Sequence, residues 1–354
     1  MGLFSWLGGK KSPEPETVED DQDAELQPGV SNEDLKDALK AANGGQRVDA
    51  SRALIERWRS GDVDAATAIA PVLHELLDDS EPLVRRAALH GVQLMRKPEN
   101  LERCASGVLA LLADPVPQVR IAAISAAVVL PGEAARAQVR AALSSEDESM
   151  RFSAACALGG KQDSAAMPEL IAGLRDGYRR QEALTALMSL GDAAAVPEIG
   201  ALFDDESLEP FDRTMTAAAL ARFGDARGKE YLAERLGDSS DDRPIAAEWA
   251  GRLGVQEAIP ALEELSETDE DPARGAALRA LGRLKAPGAE QRLSAIAEDP
   301  EAAPDLRMDA AEGLAELGAL ATLEKLAAGD DELADLCKQL VIEVQSLAKA
   351  TDAD

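Results

Sequence analysis

The stretch DPARGAALRALGRL, residues 271–284, decides how the rest of the chain is read. An acid and a proline make a turn. An arginine follows, and then alanine, leucine and glycine recur at helical spacing. The same order returns as SEPLVRRAALHGV (80–92), DPVPQVRIAAISAAVVL (114–130), DESMRFSAACALGG (147–160) and GYRRQEALTALMSLG (177–191). It continues as PFDRTMTAAALARFG (210–224), DRPIAAEWAGRLG (242–254) and DLRMDAAEGLAELG (305–318). The arginines stand at 85, 120, 151, 180, 213, 243, 274 and 307, spaced by 29 to 35 residues. Self-similarity at such a period is the signature of a repeat architecture.

A second set of segments lies between these. AAMPELIAGLRD (165–176), AAVPEIGALFDD (194–205) and EAIPALEELSE (257–267) share a proline followed by apolar residues at helical spacing. Proline in the first turn of a helix sacrifices no hydrogen bond, because that N–H has no intrahelical partner. Gly191, Gly224, Gly254 and Gly318 fall just past the preceding helix, where a left-handed cap is wanted. Each unit therefore reads as helix A, an acidic turn, helix B and a glycine connector. One such hairpin cannot bury both its faces. Stacking on its neighbours completes the core, which predicts an all-α solenoid.

DPARGAALRALGRL together with EAIPALEEL resembles the HEAT-repeat family, in the short bacterial form named after phycobilin lyases. That form reads Asp-Pro-x-Val-Arg-x-x-Ala-Ala-x-Ala-Leu-Gly and then Ala-Ile-Pro-x-Leu. The resemblance covers residues 62–328. It implies a right-handed α-solenoid of about eight to nine helical hairpins, an ARM-type superhelix. In that family the helix-B arginine and the turn acids bridge neighbouring repeats. Carried over, Arg85, Arg120, Arg151, Arg213, Arg274 and Arg307 become structural ladder residues. In the fourth repeat either Arg179 or Arg180 fills the slot. In the sixth, Arg243 precedes Pro244, so the register is shifted.

The ends read differently. Residues 31–61 form an N-terminal capping hairpin, opened by a capping-box pattern at Ser31 and Asp34. Residues 329–354 form a capping helix with a polar tail, since a terminal repeat needs a wettable outer face. Residues 12–30 hold three prolines and, from Glu14 to Glu25, seven acids, a composition that predicts disorder. Before them lies a short amphipathic tip, residues 1–11, MGLFSWLGGKK.

The net charge of −29 argues against nucleic acid as a partner, because binding it requires a basic face. Cys104, Cys156 and Cys337 have no paired spacing and read as small core or surface residues. IAAISAAVVL (121–130) is too short to span a membrane. The basic residues of the tip follow its apolar run, unlike those of a signal peptide, and a cytoplasmic protein is expected.

Relatives of this repeat type include enzymes. Deoxyhypusine hydroxylase holds two irons with several His-Glu pairs, and bilin lyases attach a tetrapyrrole to a partner's cysteine. Here His74-Glu75 is the only His-Glu pair, and it falls on a helix-A pattern. A di-iron site needs several such ligands converging. No catalytic residue, metal ligand or cofactor is read from the sequence. The expected function is a non-catalytic interaction scaffold with protein partners. The alternative is an enzyme or accessory related to those lyases or hydroxylases.

Two features suggest where partners bind. Nine residues past the repeat arginine, near the end of helix B, the column reads Leu94, Val129, Gly160, Ser189, Arg222, Arg252, Arg283 and Glu316. Arg279 lies one turn before Arg283. Arg222, Arg252, Arg279 and Arg283 are either favourable charges at helix C-termini or an anion-accepting strip. In the second case the acidic residues 14–25 could fold back onto Arg222, Arg252 and Arg283. The tip is the other feature. As a helix, Leu3, Phe4, Trp6 and Leu7 form an apolar face, with Lys10 and Lys11 one turn on. It reads as a weak peripheral contact with the inner face of a membrane, a docking peptide for a partner's groove, or a start segment without a role.

Overall fold

Acidic turns, proline starts and glycine ends set the local structure of the chain. The computed structural model describes residues 30–237, 240–268 and 271–351. The expectations for the tip (Leu3, Phe4, Trp6, Leu7, Lys10 and Lys11) and for the acidic linker through residue 29 lie outside the described residues. What is described is helix, turn and loop, with no strand. It divides into two units, Met1–Leu190 and Gly191–Asp354.

The first unit holds five hairpins. They are α1 (Asn32–Ala38) with α2 (Gly44–Arg59), and the interrupted pair α3 (Val63–Ile69) and α4 (Leu73–Leu76) with α5 (Pro82–Leu94). Then come α6 (Pro98–Ala110) with α7 (Pro117–Ala127), α8 (Glu133–Ala142) with α9 (Glu148–Gly159), and α10 (Met167–Gly173) with α11 (Arg180–Leu190). The second unit repeats the scheme. It pairs α12 (Val196–Phe203) with α13 (Pro210–Arg222), α14 (Ala226–Arg235) with α15 (Arg243–Arg252), and α16 (Ile259–Glu267) with α17 (Arg274–Arg283). It ends with α18 (Ala289–Glu298) and α19 (Pro304–Leu317), and with α20 (Leu320–Leu326) and α21 (Glu332–Thr351). The terminal pairs, α1–α2 and α20–α21, are complete hairpins although they lack the Ala-rich motif.

The proline-led A segments enter helix through a short 3-10 turn, Ser164–Ala166 before α10 and Gln256–Ala258 before α16. Gly318 at the end of α19 takes φ 84°, a conformation that carries a Cβ only with strain. At the N-terminal end Ser31 caps α1, its Oγ accepting from the Asp34 N–H at 3.1 Å, with the Asp34 carboxylate returning a bond in the predicted capping box.

Within each unit, successive B helices pack side by side: α2, α5, α7, α9 and α11 in the first, and α13, α15, α17, α19 and α21 in the second. Small residues line these contacts. Ala122, Ala123, Ala126 and Ala127 of α7 are buried, as are Ala217, Ala218 and Ala219 of α13. A Cβ on Gly251 of α15 would stand 2.8 Å from the Ala280 Cα of α17. Helix axes this close leave little room for aromatic rings, which accounts for their scarcity in the core. Leucines such as Leu54, Leu89, Leu158, Leu184 and Leu187, fully buried, fill the space between hairpins.

Candidate interaction surface

The ladder is built from two short-range habits of the chain. In most acidic turns an aspartate accepts a backbone N–H two or three residues on, near the start of helix B; Asp242 before α15 makes no such cap. Asp79 accepts from Glu81, Asp114 from Val116 and Asp271 from Ala273, each at 2.8 Å. One turn into that helix, the repeat arginine folds back onto carbonyls left open at the end of helix A. Arg85 donates to the Asp79 carbonyl at 2.8 Å, Arg120 to Asp114 at 3.0 Å and Arg151 to Ser145 at 2.9 Å. Arg213, Arg274 and Arg307 likewise reach the carbonyls of Phe203, Ser266 and Ala297.

The rest of the guanidinium reaches the next repeat. Arg85 holds Asp114 through Nε at 2.8 Å and Nη2 at 3.0 Å, in the fork geometry that matches a carboxylate. Arg120 reaches Asp147 at 3.1 Å, and Arg307 lies 3.6 Å from Asp331. The ladder starts one repeat earlier than the sequence reading places it. Arg47 in α2 binds Asp79 at 2.7 Å and also the Ala41 carbonyl. The signal was present, since Arg47 has the position in its helix that Arg85 has in α5.

Two open registers are resolved. Arg180, not Arg179, takes the carbonyl slot, donating to Leu174 at 3.1 Å. Arg179 instead pairs with Glu148 and lies 5.3 Å from the centre of the Phe152 ring. Arg243 reaches Asp271 at 2.5 Å despite Pro244, so the proline does not remove it from the ladder. Proline suits the first turn of α15, where no intrahelical N–H partner is lost.

The arginine column needs a correction. Arg252, Arg279 and Arg283 are not a free anion-accepting strip, because the protein's own carboxylates already occupy them. Glu248 of α15 is only 3% exposed. It accepts from Arg252 at 2.6 Å and pairs with Arg283, while Arg279 lies 3.8 Å from it. Arg279 also pairs with Asp309, and Arg283 reaches Glu316 of α19 at 2.8 Å. Arg222 is the exception, exposed at the end of α13. Reading one column alone missed Glu248, although it stands four residues before Arg252 on the same helical face.

This network splits its carboxyls. Burial pushes Glu248 up, but Arg283 and Arg252 outweigh it and hold the group below the ordinary glutamate value. Burial prevails at Asp309 and Glu312, whose carboxyls are raised. A depressed carboxyl contributes stability that is full above its unfolded pKa and lost as pH falls through the folded one. A raised carboxyl works in the opposite sense, favouring the fold as it takes up its proton. Glu248→Gln should therefore cost about 2 kcal/mol at neutral pH. In urea denaturation across pH, its deficit should close in acid. A deficit of constant size would show that the charge of Glu248 is not what matters.

The other candidates are quiet. His74 lies 3.2 Å from Arg103 on the neighbouring A helix, and Glu75 is largely exposed. Cys104 and Cys337 are buried and Cys156 is half-buried. Burial pushes the Cys156 thiol up to about 12 and the Cys337 thiol up to about 11.

The outward row five residues past each ladder arginine separates the units. In the first it reads Arg52, His90, Ser125, Cys156 and Thr185, all half-buried. In the second it includes Glu248, Arg279 and Glu312, joined by the charge network.

The chain matches a family described as HEAT repeats at residues 105–187, 167–250 and 239–315. Among solved structures, YibA of Escherichia coli aligns at TM-score 0.45 and 19% identity, over 73% of this chain and 93% of its own. The complex of CpcE and CpcF of phycocyanin lyase from Nostoc sp. PCC7120 aligns at 0.41 and 19%, over 86% and 100%. Human deoxyhypusine hydroxylase aligns at 0.30 and 23%, over 70% and 97%. No curated protein matches the chain.

Proposed function

Because the chain belongs to the HEAT-repeat family, with the match running through residues 105–315, we propose that it is a non-catalytic protein-interaction scaffold. It binds partners on the row of side chains carried by the B helices of the first unit. The supporting observation is the continuity of that row. Arg52, His90, Ser125, Cys156 and Thr185 come from five helices packed one against the next, and all keep part of their surface exposed. Such a row offers an extended partner segment one position per repeat. The tip adds a second, weaker contact. Leu3, Phe4, Trp6 and Leu7, with Lys10 and Lys11, suit the surface of an anionic membrane, and so short a segment holds only with a second attachment.

The test is quantitative affinity capture from native lysate, repeated with anionic vesicles present. Ser125→Glu/Thr185→Glu should lower partner recovery at least about tenfold, a loss of about 1.4 kcal/mol. Gln138→Glu, on the exposed side of helix A in the fourth hairpin, should leave it unchanged. Phe4→Ala/Trp6→Ala should reduce recovery on vesicles alone. Equal recovery by all three variants would end the proposal, and bound iron or bilin absorbance in purified protein would favour the enzyme alternative.

A further inference from the structure

The charges of the first unit are unevenly spread. Most of its ladder arginines are tied to aspartates, but the outer face of α2 and α5 carries cations of another kind. Arg52 and Arg86 are half-buried and make no ion pair among the described residues. Arg59 is exposed and held only by Glu56 of its own helix, at 2.7 Å. Arg96 and Lys97, just past the end of α5, are exposed. Arg96 donates to the Gln93 and Met95 carbonyls and so has no carboxylate. His90 lies among these groups. His90 stands one helical turn past Arg86 on α5, and burial first, then the charges of Arg86 and Arg59, lower its pKa. The acids on this face of α2 are Glu56 and Asp49, both exposed. The face is therefore net positive in a chain of net charge −29.

The described chain also begins at this edge. Helix α1 runs antiparallel to α2, so its start lies at the C-terminal end of α2. Arg57 fixes that point, donating to the Val30 carbonyl at 2.9 Å and to Asn32 Oδ1 at 2.6 Å. Immediately upstream are the seven acids between Glu14 and Glu25. At about 3.5 Å per residue, Glu25 reaches within about 17 Å of Val30 and Glu14 within about 55 Å. Packed helices lie roughly 8–10 Å apart. The acidic segment is thus tethered within reach of both α2 and α5.

We propose that residues 14–25 dock in cis on the basic edge formed by Arg59, Arg86, Arg96 and Lys97, with His90 and Arg52 behind it. The occupant is the segment the sequence suggested; only its seat differs. Arg252, Arg279 and Arg283 of the second unit are satisfied by Glu248, Asp309 and Glu316 of neighbouring or buried positions, whereas of these cations only Arg59 meets a carboxylate, the exposed Glu56 of its own helix. Docking there makes the segment a built-in competitor for any acidic ligand of this face. A tether this short gives an effective concentration of about a millimolar, so even a weak contact is mostly closed. This goes beyond the scaffold proposal and does not depend on partner capture.

The test uses the full chain and one probe, a synthetic peptide of residues 12–27. Affinity is measured by calorimetry for the wild type and for a chain whose seven acids are neutralised (E14Q, E16Q, E19Q, D20N, D21N, D23N, E25Q). The neutralised chain should bind the peptide at least about tenfold more tightly, because its own segment no longer competes. Adding R59E/R86E/K97E should abolish that binding, and rising salt should weaken it. R59Q/K97Q, two exposed positions, provides the same comparison if the triple reversal disturbs folding, and should weaken binding. Equal affinity in the wild-type and neutralised chains overturns the proposal, since the face would then be open to outside ligands. Absence of binding to the neutralised chain, or binding that survives the basic-edge variants, overturns it as well.

Discussion

Asp114→Ala is expected to destabilise the first unit by about 3 kcal/mol, within the range for breaking a buried ion pair from one side. Asp114 is 6% exposed, and the Arg85 side chain opposite it is 11% exposed. The substitution leaves the guanidinium buried with half of its bonds unmade. It also removes the acceptor for the Val116 N–H at the start of α7. Both effects fall on the contact between the second and third hairpins. In a repeat array, stability is carried by such nearest-neighbour interfaces. For a unit of this size the loss corresponds to a fall in melting temperature of roughly 10 °C. Asp114→Asn should lose less, because it keeps the backbone bond and one bond to Arg85. Asp335→Ala, which removes an exposed pair with Lys338, should change stability by less than about 0.5 kcal/mol. If Asp114→Ala and Asp335→Ala melt alike, the ladder is decoration and the repeats are held by apolar packing alone.

Gly282→Ala should cost about 3 kcal/mol net, against the usual sign for such a change. In an exposed helix, glycine to alanine gains about 1 kcal/mol, because alanine loses less backbone entropy. At position 282 that gain is overwhelmed. The new Cβ would overlap the Gly313 carbonyl oxygen of α19 and stand 2.8 Å from its carbon and 2.9 Å from its Cα. These are backbone atoms, so no side chain can rotate away. The two helices must separate, and the bridges Arg279–Asp309 and Arg283–Glu316 span the same gap. Overpacking usually costs 1–3 kcal/mol, and lost bridges add to it. Gly107→Ala is the control. There the Cβ meets only the Leu77 side chain, from 3.0 Å, and Leu77 can shift. Denaturation midpoints should therefore fall sharply for Gly282→Ala and barely move for Gly107→Ala. A Gly282→Ala protein as stable as the wild type would mean that α17 and α19 are not packed backbone to backbone.

Of the two roles open to the arginine column, the free anion-accepting strip is removed by carboxylates that stand outside the column. Nine residues past the ladder arginine, Arg252 and Arg283 looked like cations awaiting an anion. Their anion, Glu248, lies in another column and on a helix one repeat away from Arg283. Nothing in the spacing of the arginines indicates that a buried carboxylate stands between them. The basic edge of the first unit escaped notice for the opposite reason. Its cations form no column along the array: Arg59 and Lys97 share a position twelve past Arg47 and Arg85, but the next repeats carry Gly132, Asp163 and Asp192 there, and Arg86 and Arg96 lie elsewhere in theirs.

What the sequence by itself determined is the local grammar: where helices begin and end, which turn aspartate caps them, and which arginine recurs. These are short-range choices, governed by proline, glycine, N-caps and helical spacing, and each is settled within a few residues. The division into two units, the meeting of Gly282 with Gly313, and the pairing or freedom of each arginine were decided only by tertiary structure. A charge's fate depends on which side chains the neighbouring repeat brings within a few ångströms. The sequence fixes that neighbour's period, but the rotation of one hairpin on the next selects the atoms that touch.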